Sequence, residues 1–323
     1  MQIVPHLFFP LGTGNQSAEM ITIQPVNENA DHQCFCYVFD VPSDHPQGTY
    51  FWHTHRHGTA LTQAYQGMFG YMIVGTDSNP GSAAAQLAAQ GITRTEPLAI
   101  WEWAVGANST VVGEPDTYME GSFFGQFFGS QVTTYLTNNE YQPTFNACVD
   151  ETIHFRLLCA QADAGSAIYV LDSSDNPVPF FVFASDGITY TKAYNKTMIA
   201  VGQAMREALL MQFPKAGKYR IMQGIIPAFP GAAAQFAPQH IAAFIVVADQ
   251  GCTGDGTDLS ALTFTPGMPH AIADVNISST ITVTFEAVRE RNEAPVPRFD
   301  INNEIYATNQ ISRIVAPGYV LMR

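Results

Sequence analysis

The stretch from residue 48 to 58 reads GTYFWHTHRHG and sets His53, His55 and His57 at every second position behind Phe51 and Trp52. In an extended strand alternate side chains leave by the same face, so the three imidazoles line one side while Trp52, Thr54 and Arg56 line the other. Two residues along a strand span about 6.5 Å. At that separation neighbouring imidazoles share one metal ion or each serve one of two adjacent ions. Imidazole suits zinc, copper, iron and nickel alike, so the spacing leaves the metal open. A solvated face of hydrogen-bonded histidines is the plainer reading, but it accounts poorly for three of the chain's nine histidines at period two. His6, His32, His45, His154, His240 and His270 stand singly and read as ordinary surface or core residues.

Such a face needs a sheet to carry it. Short runs rich in β-branched and aromatic residues, among them CFCYVFDV, GTYFWHTH, GYMIVG, ETIHFRLL, PFFVFASDG, GKYRIMQG and HIAAFIVVAD, recur between Gly, Pro, Asn and Asp. The pattern predicts an all-β chain of sandwiches. Helical signal is sparse, the clearest being the Ala-rich GSAAAQLAAQ at 81–90. Punctuation there and at DQGCTGDGTD predicts three pieces, 1–78, 91–249 and 258–323, with linkers at 79–90 and 250–257. The outer two are short against the roughly 100 residues of an ordinary sandwich, and each is expected to be incomplete.

Charged residues are only 13% of the 323, hydrophobic residues 46%, and the net charge is −14 with no Lys/Arg cluster. This composition excludes disorder and disfavours nucleic acid or an anionic membrane surface as partner. The longest apolar run, near Ile241–Ala248, is far short of the roughly 18 residues of a membrane span. No signal peptide is visible in MQIVPHLFFP. Five cysteines, Cys34, Cys36, Cys148, Cys159 and Cys252, form no CxxC pair and leave the pairing open. Cys34 and Cys36 share one strand face and could hold a soft ion, although buried thiols are the simpler reading. The phenylalanine-rich segment 121–130 reads as a loop packed on a sandwich, and WEW at 101–103 as core.

The run FDVPSDHPQGTYFWHTHRHG continues as TALTQAYQGMFGYMIVG, and together they resemble the end of the first cupredoxin domain of multicopper oxidases, the laccase-like enzymes. Gly48, Thr49, Tyr50, Trp52, His53, His55, Gln63, Gly67, Gly70, Ile73 and Val74 follow the family's order. ETIHFRLLCAQAD, FFVFASDGITY and AVGQAMREALLMQFPKAGKYRI resemble the second domain, which carries no copper ligands in three-domain members. FDINNEIYATNQISRIVAPGYVLMR resembles the opening of the third. The resemblance implies tandem cupredoxin-like Greek-key sandwiches and copper as cofactor. His53 and His55 would each bind one of the paired type-3 coppers, with His57 in a supporting position. It further implies a small-molecule or metal-ion electron donor, dioxygen as acceptor, and a secreted or periplasmic location.

Several family segments are missing from these residues. No His-x-His-Gly precedes the histidine strand, no His-Pro-x-His-x-His or His-Cys-His follows, and no cysteine has the histidine pair that a blue copper site needs. The expectation is therefore an internal fragment that is inactive alone. A cupredoxin protein that binds copper or serves as scaffold without catalysis is the alternative. A cupin-like mononuclear metal site ranks third, since HTHRHGTALTQAYQG lacks the glutamate that family places there.

Overall fold

The structure, a computed structural model, describes residues 3–6, 41–55, 60–65, 67–75, 79, 81–105, 132–161, 164–227, 239–249, 251–266, 277–281, 285–288, 298–301, 304–305 and 319–322. The chain divides into two compact units, Met1–Gly267 and Met268–Arg323.

In the first unit, β1 (Ile3–His6), β2 (Gly48–Thr54) and β3 (Phe69–Val74) form an antiparallel sheet with β2 in the middle. The short helix α1 (Ala60–Tyr65) lies in the connection from β2 to β3, and α2 (Ala83–Ala88) follows β3. Next come β4 (Thr95–Val105), β5 (Val132–Thr137), β6 (Thr144–Cys148), β7 (Thr152–Cys159), β8 (Ala164–Leu171), β9 (Pro177–Val178), β10 (Phe180–Ser185) and β11 (Ile188–Lys196). The unit's last strands are β12 (Met198–Val201), β13 (Arg206–Gln212), β14 (Gly217–Pro227) and β15 (His240–Ala248). One sheet runs β11-β10-β13-β7-β4-β5 and the other β12-β8-β14-β15-β6, with β9 beside β8. Only β4–β7 and β15–β6 pair in parallel among these strands. The chain repeatedly leaves one sheet for the other, the interleaving of a sandwich.

Side-chain alternation explains why the two sheets close on each other. Along β7 (TIHFRLLC), Ile153, Phe155, Leu157 and Cys159 enter the common core, where they meet Ile168 and Val170 of β8, Ile221 of β14 and Ile245 of β15. His154, Arg156 and Leu158 leave by the opposite face. That outer face is also covered, so β7 is buried almost throughout. One part lies under Ala83 and Leu87 of α2, Ile92, and the segment carrying Leu259, Leu262 and Phe264, which pack on Phe183, Ala208 and Leu210. Another part lies under the β2–β3 hairpin, where Phe51 meets Ala99 and Leu158 beside Phe69 and Tyr71. Residues 79–90 thus do more than connect: Ser82 caps α2, its hydroxyl accepting from the Ala85 N–H at 2.9 Å, and the helix buries its apolar side on the sheet.

Cys148 and Cys252 form a disulfide and Cys159 is a buried free thiol, while Cys34 and Cys36 lie outside the described residues. Near the disulfide the Asp255 carboxylate accepts from the Thr152 N–H at 2.6 Å and from its hydroxyl at 2.8 Å. Trp101 and Glu102 are both buried. Segment 121–130 also falls outside the described residues, as do His32 and His270.

In the second unit β16 (Ile277–Ile281) pairs in parallel with β20 (Tyr319–Met322). There β17 (Phe285–Val288), β18 (Arg298–Ile301) and β19 (Glu304–Ile305) form an antiparallel sheet. Among the described residues no helix is long and apolar enough to cross a membrane.

Candidate metal centre

His53 sits near the end of β2, paired with Val4 on one side and Phe69 on the other, and His55 follows one residue beyond the strand. Their rings leave together: the centroids are 5.3 Å apart at an interplanar angle of 51°. The Phe51 ring continues the row, stacked on His53 at 5.7 Å and 9°. Between the histidines Thr54 is fully buried. Its hydroxyl donates to the Ala60 carbonyl at 3.4 Å and its N–H to the Met68 carbonyl at 3.3 Å. The backbone linking the two imidazoles is thereby tied to the start of α1 and the entry to β3. On the other face the Trp52 indole lies over Gly70, where a Cβ would meet its Nε1 at 2.7 Å.

The residues just before the histidines lock this strand onto the sandwich. Tyr50 is 0% exposed and donates to the Pro46 carbonyl at 2.8 Å, and its ring fills the space beside Gly187, whose φ of +86° and close approach leave no room for a Cβ. The Arg206 guanidinium is 5.8 Å from the Tyr50 ring and 5.2 Å from the Phe51 ring, within cation–π range. Its Nε donates to the Thr49 carbonyl at 3.3 Å, and Asp186 holds its other side at 3.1 Å. Arg156 donates to the Thr49 hydroxyl at 2.8 Å. From β3 the Tyr71 hydroxyl donates to the Arg156 carbonyl at 2.6 Å and accepts from the Leu98 N–H at 3.1 Å.

Electrostatics at His53 suit it to metal. Burial, and then the charge of neighbouring His55, hold His53 below the ordinary imidazole pKa, against a backbone hydrogen bond at Thr54 that acts the other way. A ligand imidazole must be neutral, so this environment keeps it in the donor form at neutral pH. Two soft-to-borderline nitrogen donors on one face fit copper or zinc as part of a coordination set. Among the described residues no group of three or more His, Cys, Asp or Glu stands together as a metal site. His57 lies outside the described residues.

Of the histidines read as ordinary, His45 packs edge-on to Tyr50 at 4.9 Å, His154 is buried edge-on to Phe183 at 5.1 Å, and His240 stacks on Tyr135 at 4.0 Å. Sequence reasoning passed over Arg156, Arg206, Tyr71 and Gly187. Arg206 and Gly187 lie in segments quoted for their family likeness, but nothing in a lone arginine announces that it faces another sheet.

No family model and no curated protein matches the sequence. Solved structures do match in fold. The 2F4 variant of McoA, a multicopper oxidase from the hyperthermophile Aquifex aeolicus, aligns at 18% identity and a TM-score of 0.58, covering 80% of this chain and 51% of that one. The Campylobacter jejuni multicopper oxidase, described as a metallo-oxidase, aligns at 15% identity and 0.59, over 85% of this chain and 54% of that one. CueO, a laccase-like multicopper oxidase from Ochrobactrum sp., aligns at 18% and 0.53, over 74% and 48%. The chain spans about half the length of these structures. The fold is thus the all-β, cupredoxin-like sandwich architecture of multicopper oxidases, as the sequence resemblance implies.

Proposed function

We propose that this chain forms part of a copper-dependent oxidoreductase of multicopper oxidase type, with His53 and His55 as two of the copper ligands. The observation that carries the reading is the pair of imidazoles projecting together from a strand whose fold has multicopper oxidases as neighbours. Bound copper would supply one-electron transfer and dioxygen reduction. The chain's own residues would present two imidazoles, fix the strand through Thr49, Tyr50 and Thr54, and shield it with the second sandwich. The electron donor would be a phenol, a metal ion or a similar small molecule. Residues 1–78, 91–249 and 258–323 would belong to the first, second and third cupredoxin domains, with copper ligands expected only outside the second.

The Cys148–Cys252 disulfide supports export to an oxidising compartment, secreted or periplasmic. A non-catalytic copper-binding cupredoxin is the second reading, favoured by the lack of a third clustered ligand among the described residues. The test is copper titration of the metal-free full chain, its His53→Ala and His55→Ala variants, and an oxygen electrode with phenolic and ferrous donors. Copper affinity should fall at least about 10-fold in each variant, with no blue absorption in any of the proteins. Oxygen uptake that accompanies binding favours the oxidase, and binding without uptake the second reading. Copper uptake indifferent to both substitutions would sink the assignment.

A further inference from the structure

A small, partly open cavity of about 20 Å³, its exposed lining mostly apolar with a few charged groups at its walls, lies where the histidine strand meets the second sandwich. Its walls come from three places: Gly48 and Thr49 of β2, Ala83 of α2, and the outer face of the sheet, with His154, Arg156, Arg206 and Glu207. The volume exceeds the roughly 10–15 Å³ that one water-sized body needs. We infer that this cavity is a binding site for a single small monovalent anion of halide size, which fastens the histidine strand to the sandwich.

Three observations converge. His154 is 1% exposed and its Nδ1 lies 3.2 Å from the Thr95 hydroxyl, while its Nε2 is buried without a protein partner. In the tautomer in which the Thr95 hydroxyl donates to Nδ1, the ring proton sits on Nε2 as a donor that lacks an acceptor. Two guanidiniums line the same space. Arg206, whose side chain is 11% exposed, is ion-paired with the 48% exposed Asp186 and also feels the Glu207 carboxyl, which is charged only above its raised pKa. A buried cation is stable only when countercharge reaches it.

The third observation is Glu207. Its Oε1 accepts from the Ser185 hydroxyl at 2.9 Å, and its Oε2 is buried without a protein partner. Burial pushes this carboxyl up to about 7, so on the acid side of neutrality it carries a proton and offers the cavity a further donor. An anion thus meets an imidazole N–H, guanidinium N–H groups and a carboxyl O–H, with Ala83, Ala184 and Ala208 limiting its size. A larger oxyanion has no room. Because Gly48 and Thr49 form one wall, filling the cavity favours the docked position of β2, four residues ahead of His53.

The test uses the full chain freed of metal by chelation, so that copper offers no halide site. Melting is followed at pH 6 and constant ionic strength in sodium gluconate, sulfate, chloride and bromide. Chloride and bromide should raise Tm saturably over gluconate and sulfate, and His154→Phe should weaken the halide dependence at least about 5-fold. Crystals grown in bromide give a second readout that needs no variant: an anomalous peak in the cavity. Equal melting in all four salts, or a bromide-soaked cavity that shows a water only, overturns the inference.

Discussion

Replacing both partners of the Cys148–Cys252 disulfide by serine isolates the effect of one crosslink. Cys252 is exposed and Cys148 only half-buried, so the substitution removes little packing. The bridged residues are 104 apart in sequence. A closed loop of that length removes about 16 cal/mol/K from the unfolded chain, or about 4.7 kcal/mol at 25 °C. Residual structure in the unfolded ensemble brings the expected loss to about 3–5 kcal/mol. For a unit of this size that is about 10 °C in Tm. Urea unfolding of the wild type and of Cys148→Ser/Cys252→Ser, each with and without dithiothreitol, measures it. The reductant should lower the wild type to the level of the variant and leave the variant unmoved. A loss under about 1 kcal/mol would refute the reasoning and remove the disulfide as an argument for an oxidising compartment.

Tyr71→Phe deletes a hydroxyl that serves the Arg156 carbonyl and the Leu98 N–H together. The cost should be about 1–3 kcal/mol, with faster hydrogen exchange at Leu98 and along Phe51–His53; unchanged exchange there would mean that the hairpin is held by other contacts. Glu207→Gln tests the raised carboxyl. An unfolded glutamate ionises near its usual value of about 4.3, whereas in the fold Glu207 keeps its proton up to about 7. Between those values the unfolded chain binds fewer protons, so stability falls as pH rises through the window. Glutamine should flatten that slope and raise stability at pH 8 by roughly 1 kcal/mol, after discounting for the partial exposure of the side chain. Buried His154 acts in the opposite direction below its unfolded pKa, but it is common to both proteins and cancels in the comparison. A pH profile identical in wild type and variant would contradict the placement of Glu207.

Strand content and the face shared by His53 and His55 were legible because both follow from a period of two, which needs no knowledge of what lies opposite. The segment 79–90 was legible as a short helical or irregular link but not as a cover. Its alanines carry no sign of the sheet they bury, and the partners Phe183 and Leu210 lie about a hundred residues or more away. Disulfide pairing was illegible for the same reason: five cysteines at unequal spacing admit several pairings, and the bridge joins residues brought together only when β6 and β15 align in parallel. Docking residues were hidden further still, because Arg156 and Arg206 occupy outward positions of β7 and β13 that in a free sandwich would face solvent.

Those outward positions explain how a sandwich expected to lack copper ligands would still govern the copper site proposed at His53 and His55. The strand β2 lies between β1 and β3 among the described strands, and the face it presents is fixed by what its side chains pack against. Its histidines gain a defined direction because Tyr50 and Phe51 are clamped by Arg206, Thr49 by two arginines, and Tyr71 by backbone groups of β4 and β7. Every clamp precedes His53 on the strand or faces it from β3. Substitutions at these positions should therefore disturb metal affinity without touching a ligand, in the way that outer partners of a metal site tune the groups they orient.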